Sequence, residues 1–166
     1  MRSVGETLTQ ALEPEEVLTT LLGLDPAARL ERYYGERSVF YNPGGSAPLG
    51  VIFGSVKEQD GPHDRRSDLS RDGIYRLALG ITPASFRDLF GAVPPRPAKG
   101  EVVALYGFDP TRVNELTPHP VYAWMSWVQI LSPTDERFAS LRPLLEEALE
   151  LAKERWARRK PRRKPR

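Results

Sequence analysis

Prolines and glycines are spaced so closely along this chain that few helices or strands can run far without interruption. The 166 residues include 16 prolines and 13 glycines. Proline fixes φ and removes a backbone donor, and glycine favours turns, so both tend to end regular elements. We therefore predict short elements joined by turns. The exception is residues 140–159, which predict one long helix with Pro143 in its first turn, where proline is tolerated.

Other helices are predicted where a proline or an N-capping residue precedes an apolar stripe. Pro14 begins one of them, because proline suits the first turn and the carboxylates around it meet the positive end of the helix dipole. Gly23 is expected to end this helix in the left-handed conformation. Thr82 is expected to cap another helix. The predicted helices and helical turns cover residues 13–22, 25–35, 83–90, 109–116 and 140–159.

Runs of β-branched and aromatic residues between turn residues predict the strands. Ser38–Tyr41 and Leu49–Val56 flank the turn residues Asn42-Pro43-Gly44-Gly45, which indicates a hairpin. The apolar run Val121–Leu131 is predicted to be a central strand that is covered on both faces. The predicted strands cover residues 38–41, 49–56, 74–81, 102–106 and 121–131.

The order of these elements predicts an α+β protein, with a mainly antiparallel sheet of four to five strands and helices packed on one side of it. A doubly wound nucleotide fold is disfavoured, because no G-x-G-x-x-G follows the first strand and no phosphate-binding P-loop sequence occurs. We expect one domain over residues 1–156, loose over residues 1–11, and a disordered basic tail over residues 157–166.

The chain contains no cysteine and only two histidines. Disulfides, thiolate nucleophiles, iron–sulfur clusters and cysteine-ligated zinc are therefore excluded, and we predict no metal and no other cofactor. The N-terminus has several acids and no continuous apolar segment, and the apolar runs are shorter than the roughly 20 residues that span a bilayer. We expect a cytoplasmic protein with no membrane partner, and binding rather than catalysis.

The positive charge of the chain is concentrated at its C-terminal end. Residues 157–166 hold seven of the 24 lysines and arginines and no acid, so the rest of the chain is mildly acidic. A proline-interrupted run of like charge stays solvated and can neutralise phosphates, or it can simply aid solubility. The residues expected to contact a polyanion are Arg158, Arg159, Lys160, Arg162, Arg163, Lys164 and Arg166.

The polar loop over residues 57–72 is the first candidate for a functional site. It carries four aspartates at four-residue spacing, interleaved with arginines and a lysine. Such carboxylates are conceivable ligands for Mg²⁺ or Ca²⁺. The interleaved cations instead favour a loop held by its own ion pairs and Asx turns.

The segment around His119 is the second candidate. Pro118 and Pro120 fix the backbone there, so the imidazole is a candidate acid or base, although hydrogen bonding to a neighbouring loop is the role that we favour. Trp124 and Trp127 are expected on opposite faces of the strand, one in the core and the other beside a groove. The candidate ligand site combines the loop and this segment: Lys57, Asp60, Asp64, Arg71, Arg76, His119, Tyr122 and Trp124.

Small residues form a further pattern on two strands. Gly50 and Gly54 share one face of their strand, and Arg76, Ala78 and Gly80 share one face of theirs. If these faces coincide, the sheet has a shallow patch with a cation at its edge, which a helix, a partner backbone or a flat ligand can approach closely. We expect the protein's own helix to cover the patch.

Five sequence segments carry a family resemblance: Phe40–Gly45, Val56–Gly61, Ser67–Arg71, Phe86–Gly91 and Pro118–Trp127. They resemble a family of uncharacterised bacterial and fungal proteins, a domain of unknown function, and their PHPVY-x-W run is the most specific part. Ala123 stands where that family usually has glycine. More distantly, the order of strands and helices is similar to the MmcQ/YjbR double-wing fold, which implies a compact antiparallel sheet and an association with DNA binding.

Three functions are compatible with these features. The favoured one is a non-enzymatic module that contacts nucleic acid non-specifically, or another acidic partner, through its basic tail. The first alternative is a small-molecule or enzymatic site between the Lys57–Arg71 loop and the His119 segment. The second is a homodimer formed through the apolar strand or the small-residue patch.

We expect deletion of residues 157–166 to abolish most binding to duplex DNA, because the tail supplies the cations that displace phosphate counterions. Fluorescence anisotropy of a labelled duplex, measured over a range of salt concentrations, tests this. A scrambled tail of the same composition is the control and should bind as the natural tail does. Binding that survives the deletion, or that is absent at low salt, would contradict the prediction.

Overall fold

The computed structural model of the protein describes residues 10–159. Over this range the chain forms four α-helices and six β-strands. The helices are α1 (Pro14–Leu22), α2 (Pro83–Phe90), α3 (Asp135–Ser140) and α4 (Arg142–Arg158). The strands are β1 (Ala28–Tyr33), β2 (Glu36–Tyr41), β3 (Val51–Lys57), β4 (Arg76–Gly80), β5 (Leu116–Pro118) and β6 (Trp127–Leu131).

All six strands pair antiparallel in one sheet, in the order β1-β2-β3-β4-β6-β5. The predicted α+β class and antiparallel sheet are confirmed, with six strands in place of four to five. The hairpin between β2 and β3 is confirmed as well. So is the start of α2, where the Thr82 hydroxyl oxygen accepts a hydrogen bond from the backbone N–H of Ser85 at 3.2 Å.

Residues 25–35 form strand β1 and its turn, so the helical turn predicted there is wrong. The alanine, arginines, leucine and glutamate of β1 favour a helix when taken alone. Tyr34 and Gly35, however, adopt φ of 50° and 77° and make a two-residue turn that pairs β1 with β2. Gly23 also differs from expectation: its φ is −76°, so α1 ends in a right-handed turn.

The segment between α2 and β5 contains neither the strand predicted over residues 102–106 nor the helical turn predicted over residues 109–116. Asp109 does not cap a helix, because its carboxylate accepts hydrogen bonds from the backbone N–H and the hydroxyl of Thr111, which closes an Asx turn. The segment lies over the sheet as irregular structure and ends in the three-residue strand β5.

The strand predicted over residues 121–131 begins only at Trp127. The carbonyl of Tyr122 accepts hydrogen bonds from the N–H groups of Met125 and Trp127, and Ser126 adopts φ of 64°. Residues 121–126 are therefore a closed turn, and Trp124 does not lie on the strand. The remaining strand β6 fits the prediction of a covered position, because it lies between β4 and β5 and all five of its residues are buried.

Alternation along the strands gives the sheet an apolar face and a polar face. The apolar face packs against α1 and α4, and it includes Val39, Leu77, Leu79, Val128 and Ile130. The polar face, as we name the opposite one, includes Ser38, Ser55, Arg76, Ala78, Thr117 and Gln129. The long helix α4 begins with Pro143 in its first turn, as predicted.

The two small-residue faces do not coincide, so the patch that required their coincidence does not form. Gly54 lies on the apolar face, where a Cβ atom would be 3.4 Å from Cδ1 of Leu21 in α1. Gly50 lies before β3, with φ of 96°. Arg76 and Ala78 lie on the polar face. The helix that was expected to cover the patch therefore covers Gly54 alone.

Loops cover much of the polar face. The hydroxyl of Ser67, in the loop between β3 and β4, donates a 2.9 Å hydrogen bond to Oε1 of Gln129 on β6. The amide nitrogen of Gln129 in turn donates to the carbonyl of Pro110 and to the hydroxyl of Thr117. These loops thus satisfy the amide of Gln129, whereas Nε of Arg76 is buried without a partner among residues 10–159. No helix within residues 10–159 has the length and apolar composition that crossing a bilayer requires.

Candidate functional site

The most deeply buried charge among the described residues is Arg76, on the central strand β4. Its side chain is 0% exposed, although a buried guanidinium is costly unless it is paired. Its Nη1 donates a 2.9 Å hydrogen bond to Oδ1 of Asp64, and its Nη2 pairs with Oδ2 of the same carboxylate. Lys57 Nζ lies 2.9 Å from Asp64 Oδ2, and Arg76 Nη2 lies 3.8 Å from Oε1 of Glu36. Two cations and two carboxylates therefore form one ion cluster on the polar face.

Asp64 is the member of this cluster that holds the loop onto the sheet. Burial by itself would raise the pKa of its carboxyl group, but hydrogen bonds and the charge of Arg76, together with Lys57, hold that pKa far below its usual range. Asp64 is therefore ionised whenever the protein is folded near neutral pH. Its carboxylate balances Arg76, and it fixes the loop at one point on β4.

His119 is buried beside the cluster, and its hydrogen bonds define its tautomer. Its Nδ1 accepts hydrogen bonds from the backbone N–H groups of Val121 and Tyr122, at 3.0 and 3.1 Å. Burial, followed by the charge of Arg76, lowers the pKa of the imidazole well below its usual value. The ring is therefore neutral, and its hydrogen lies on Nε2. These hydrogen bonds stay within the segment around His119, so they are not the contact with a neighbouring loop that the sequence analysis favoured.

A cavity of about 350 Å³ opens on the polar face next to His119. Ser38, Ser55 and Ala78 form its floor, because the strand register places them in one row across β2, β3 and β4. Its other lining residues include Tyr33, Glu36, His119, Tyr122, Met125 and Trp127. The volume falls in the range of small-molecule sites, and small floor residues allow a flat ligand to approach the sheet.

Two polar groups of the cavity lining are left with hydrogen-bonding capacity. Oε1 of Glu36 accepts from the Ser55 hydroxyl at 3.1 Å, and Oε2 has no hydrogen-bond partner among residues 10–159. Nε2 of His119 likewise has no partner within that range. Burial, with smaller effects of Glu36 and Asp64, raises the pKa of Tyr122, so its hydroxyl keeps its hydrogen near neutral pH. The cavity thus presents an acceptor, a donor and a phenol.

Trp127 and Gly80 shape one side of this cavity. A Cβ atom at position 80 would lie 2.9 Å from Cε2 of Trp127, closer than real contacts allow. The indole therefore lies directly on the backbone of β4, and its residue is 8% exposed. Aromatic rings that are fixed in this way offer a flat surface for stacking.

Five of the eight predicted site residues come together in the structure, and three lie elsewhere. Lys57, Asp64 and Arg76 belong to the ion cluster, and His119 and Tyr122 line the cavity beside it. The other three have separate contacts. Asp60 accepts a hydrogen bond from the N–H of Leu69, and Arg71 donates to the carbonyls of Ser67 and Thr111. The ring of Trp124 lies under the guanidinium of Arg96, with 4.7 Å between the ring centroid and Cζ.

Sequence reasoning missed Glu36, Ser38 and Ser55, which lie on two strands of the predicted hairpin. Each is unremarkable in the sequence, and only the register of β2 with β3 and β4 brings them beside His119. The alternation of Glu36 and Ser38 along β2 was the available signal, because it indicates a polar face. The four aspartates of the loop do not gather, and residues 10–159 contain no cluster of three or more histidine, aspartate or glutamate side chains suited to a metal ion.

Residues 12–161 match the family of unknown function DUF6194, so the chain belongs to that family. This confirms the uncharacterised family expected from the sequence segments. Comparisons with curated proteins and with solved structures return no match. Any function must therefore be argued from the cavity and its neighbours.

We expect Asp64→Asn to lower the free energy of unfolding by about 3–5 kcal/mol near neutral pH, because it leaves Arg76 and Lys57 buried without their counter-charge. The folded-state pKa of Asp64 is depressed, so its contribution is present above about pH 4 and is lost as the pH falls further. The difference in unfolding free energy between the parent protein and Asp64→Asn should therefore become smaller in acid. Urea denaturation at several pH values measures it.

Asp68→Asn is the matched control for this experiment. Asp68 lies in the same loop, its side chain is 51% exposed, and its ion pair with Arg71 spans 3.6 Å. An exposed pair of this kind contributes at most about 1 kcal/mol, and asparagine tolerates the positive φ of this position. Equal losses in the two variants would show that Asp64 has no special role.

We expect the His119 imidazole to remain neutral, with its hydrogen on Nε2, between about pH 6 and pH 8. Two-bond ¹H–¹⁵N correlation spectra report the protonation of both ring nitrogens, and a His63→Gln variant identifies the signals of His119. Because the unfolded state takes up the proton first, stability should fall as the pH drops below about 6.5. A His119 signal that titrates within this range would contradict the assignment.

Proposed function

We propose that this protein binds a small molecule in the cavity beside His119. The observation that carries the proposal is the pairing of two polar groups with unused hydrogen-bonding capacity, Oε2 of Glu36 and Nε2–H of His119, in a cavity of about 350 Å³. Neither atom is fully buried, so each is open to the cavity, and a ligand that displaces water from it must replace the lost hydrogen bond. A ligand with one donor and one acceptor would satisfy both.

The charges around the cavity favour a ligand with no net charge. Its charged lining residues are Glu36 and Arg155, which have opposite signs. Glu36 also belongs to the ion cluster, in which two carboxylates balance Arg76 and Lys57. Arg155 is the remaining lining charge, and it is exposed to solvent, so a charged ligand would gain little from it. Tyr33, Tyr122 and Trp127 add aromatic surface, which favours a planar ring.

Binding is proposed in place of acid–base catalysis because of the state of His119. A general base needs a free lone pair on a ring nitrogen. The lone pair of Nδ1 is occupied by two backbone N–H groups, and Nε2 carries the hydrogen. In this state the imidazole can orient a ligand by donating a hydrogen bond, and it offers no basic nitrogen to the cavity.

The proposed site differs from the one that the sequence analysis described. The loop over residues 57–71 does not supply the cavity wall; its Asp64 holds Arg76, which in turn lies beside Glu36. The hairpin formed by β1 and β2 supplies the wall instead, through Tyr33 and Glu36. The loop therefore acts indirectly. Its Asp64 fixes Arg76 and with it β4, the strand that carries Ala78 of the cavity floor.

Polyanion contact through the tail is a second proposal, supported by its charge and by the resemblance of the chain to the MmcQ/YjbR double-wing proteins. Arg158 and Arg159 are exposed at the end of α4. Lys160, Arg162, Arg163, Lys164 and Arg166 lie outside the described residues.

A cytoplasmic location is likewise proposed from the sequence. The homodimer surface expected on strand β6 is not available, because that strand is buried in the sheet.

We expect uncharged aromatic compounds with a donor and an acceptor to quench the fluorescence of Trp127, which lines the cavity. A Trp124→Phe/Trp156→Phe background leaves Trp127 as the only one of the three tryptophans. The panel contains nucleosides, benzamides and, as charged counterparts, nucleoside monophosphates. The uncharged compounds should bind more tightly than the monophosphates, because Arg155, the lining cation outside the ion cluster, is exposed to solvent and repays little of the cost of dehydrating a phosphate.

The Ala78→Leu substitution tests the location of binding. It fills the cavity floor and should weaken binding at least about tenfold, or about 1.4 kcal/mol. Ala92→Leu makes the same change at an exposed position and should have no effect. The proposal fails if no compound of the panel quenches Trp127, or if Ala78→Leu remains folded and binds as the parent does.

A further inference from the structure

The two edges of the sheet differ in how they are protected. The β5 edge has three residues, ends in a proline that has no N–H group, and carries the buried Thr117. The β1 edge has six residues, five of them exposed, including Leu30 at 41% exposure. A long exposed edge strand presents unpaired backbone groups to any strand that fits it. β1 is therefore the place on the sheet where another chain could add.

The hydrogen bonding between β1 and β2 fixes which backbone groups of β1 point outward. The N–H of Asn42 donates to the carbonyl of Ala27, so these two residues form a hydrogen-bonded pair of the ladder. Pairs alternate along antiparallel strands, so the backbone groups of Leu30 and Arg32 point away from β2. The N–H of Ala28 already donates to Asp25, which leaves its carbonyl free to accept.

We propose that a second copy of this chain pairs with the β1 edge, antiparallel and with the two-fold axis at Leu30. In this register each Leu30 exchanges both of its backbone hydrogen bonds with its counterpart. The N–H of each Arg32 donates to the carbonyl of Ala28 in the other copy. Every free N–H group of the two strands is thereby used. A C2 contact of this kind joins the two sheets into one.

The side chains of β1 select this register by charge. With the axis at Leu30, Arg29 of each copy lies opposite Glu31 of the other, and the two leucines meet on the other face. An axis at Arg29, Glu31 or Arg32 would place a residue opposite its own like charge. Opposite charges that face each other across strands are favourable, and like charges are not. Within residues 10–159 neither Arg29 nor Glu31 has an ion-pair partner, so both remain available.

The proposal does not rest on the ligand site, because the pairing uses Ala28–Arg32, and Tyr33 is the residue of β1 that lines the cavity. It also differs from the dimer surfaces that the sequence analysis considered, which involved the buried strand β6 and the small-residue patch. The pairing would rest on four backbone hydrogen bonds, two ion pairs and one leucine contact. We therefore expect a monomer–dimer equilibrium that depends on protein concentration and weakens in salt.

A charge swap tests the register on the full-length chain. Arg29→Glu and Glu31→Arg each place like charges opposite one another and should raise the dissociation constant at least about tenfold. The double variant Arg29→Glu/Glu31→Arg reverses both charges, restores the two ion pairs and should return the constant to within about threefold of the parent. Sedimentation velocity over a range of protein concentrations measures all four proteins, and circular dichroism confirms that each is folded.

The possible results of the charge-swap experiment distinguish the proposed dimer and its register from the alternatives. A dimer that both single variants weaken and the double variant restores supports the Leu30 register. A parent protein that stays monomeric up to millimolar concentration overturns the proposal, and so does a dimer that the single variants leave unchanged. A dimer that the double variant fails to restore overturns the register. None of these results bears on the fluorescence of Trp127, so the ligand proposal stands or falls separately.

Discussion

The pairing of Arg76 with Asp64 is the interaction on which the organisation of the polar face depends. A guanidinium without solvent exposure has to be neutralised where it lies, and the carboxylate that bonds both of its Nη atoms, Asp64, is brought there because the loop after β3 folds back over the sheet. Once Asp64 is in place, Lys57 pairs with its carboxylate as well, and Glu36 lies against Arg76. The loop, the floor of the cavity and one of its walls are thereby positioned together.

Much of the fold was predictable because local signals and tertiary structure agree. Thr82 caps a helix, Pro14 begins one, and the turn residues after Tyr41 form a hairpin, because each acts on the backbone close to it in the sequence. The strand β1 was not predictable, since its composition favours a helix and only its pairing with β2 decides otherwise. The turn over residues 121–126 was missed for the same kind of reason: apolar residues there pack without extending the chain.

The candidate site was only half predictable, and the missing half lies on neighbouring strands. His119, Tyr122, Asp64 and Arg76 stand out by residue type, so the sequence draws attention to them. Ser38 and Ser55 become meaningful only when the strand register aligns them with Ala78. Register depends on long-range pairing, which composition does not encode. Asp60 and Arg71 were expected in the site because they share a loop with Asp64, yet Asp60 bonds to the backbone of its own loop and Arg71 bonds to the carbonyl of Thr111.

The contact between Gly80 and Trp127 makes the width of the cavity depend on the absence of a Cβ atom at position 80. With hydrogen alone at position 80, the indole settles onto the main chain and leaves room above the serines. A methyl group at position 80, as in alanine, would push the indole ring of Trp127 outward. The substitution would therefore narrow the cavity. Homologous chains with alanine at position 80 are therefore expected to have a narrower cavity, which would admit a smaller ligand or a ligand in a different orientation.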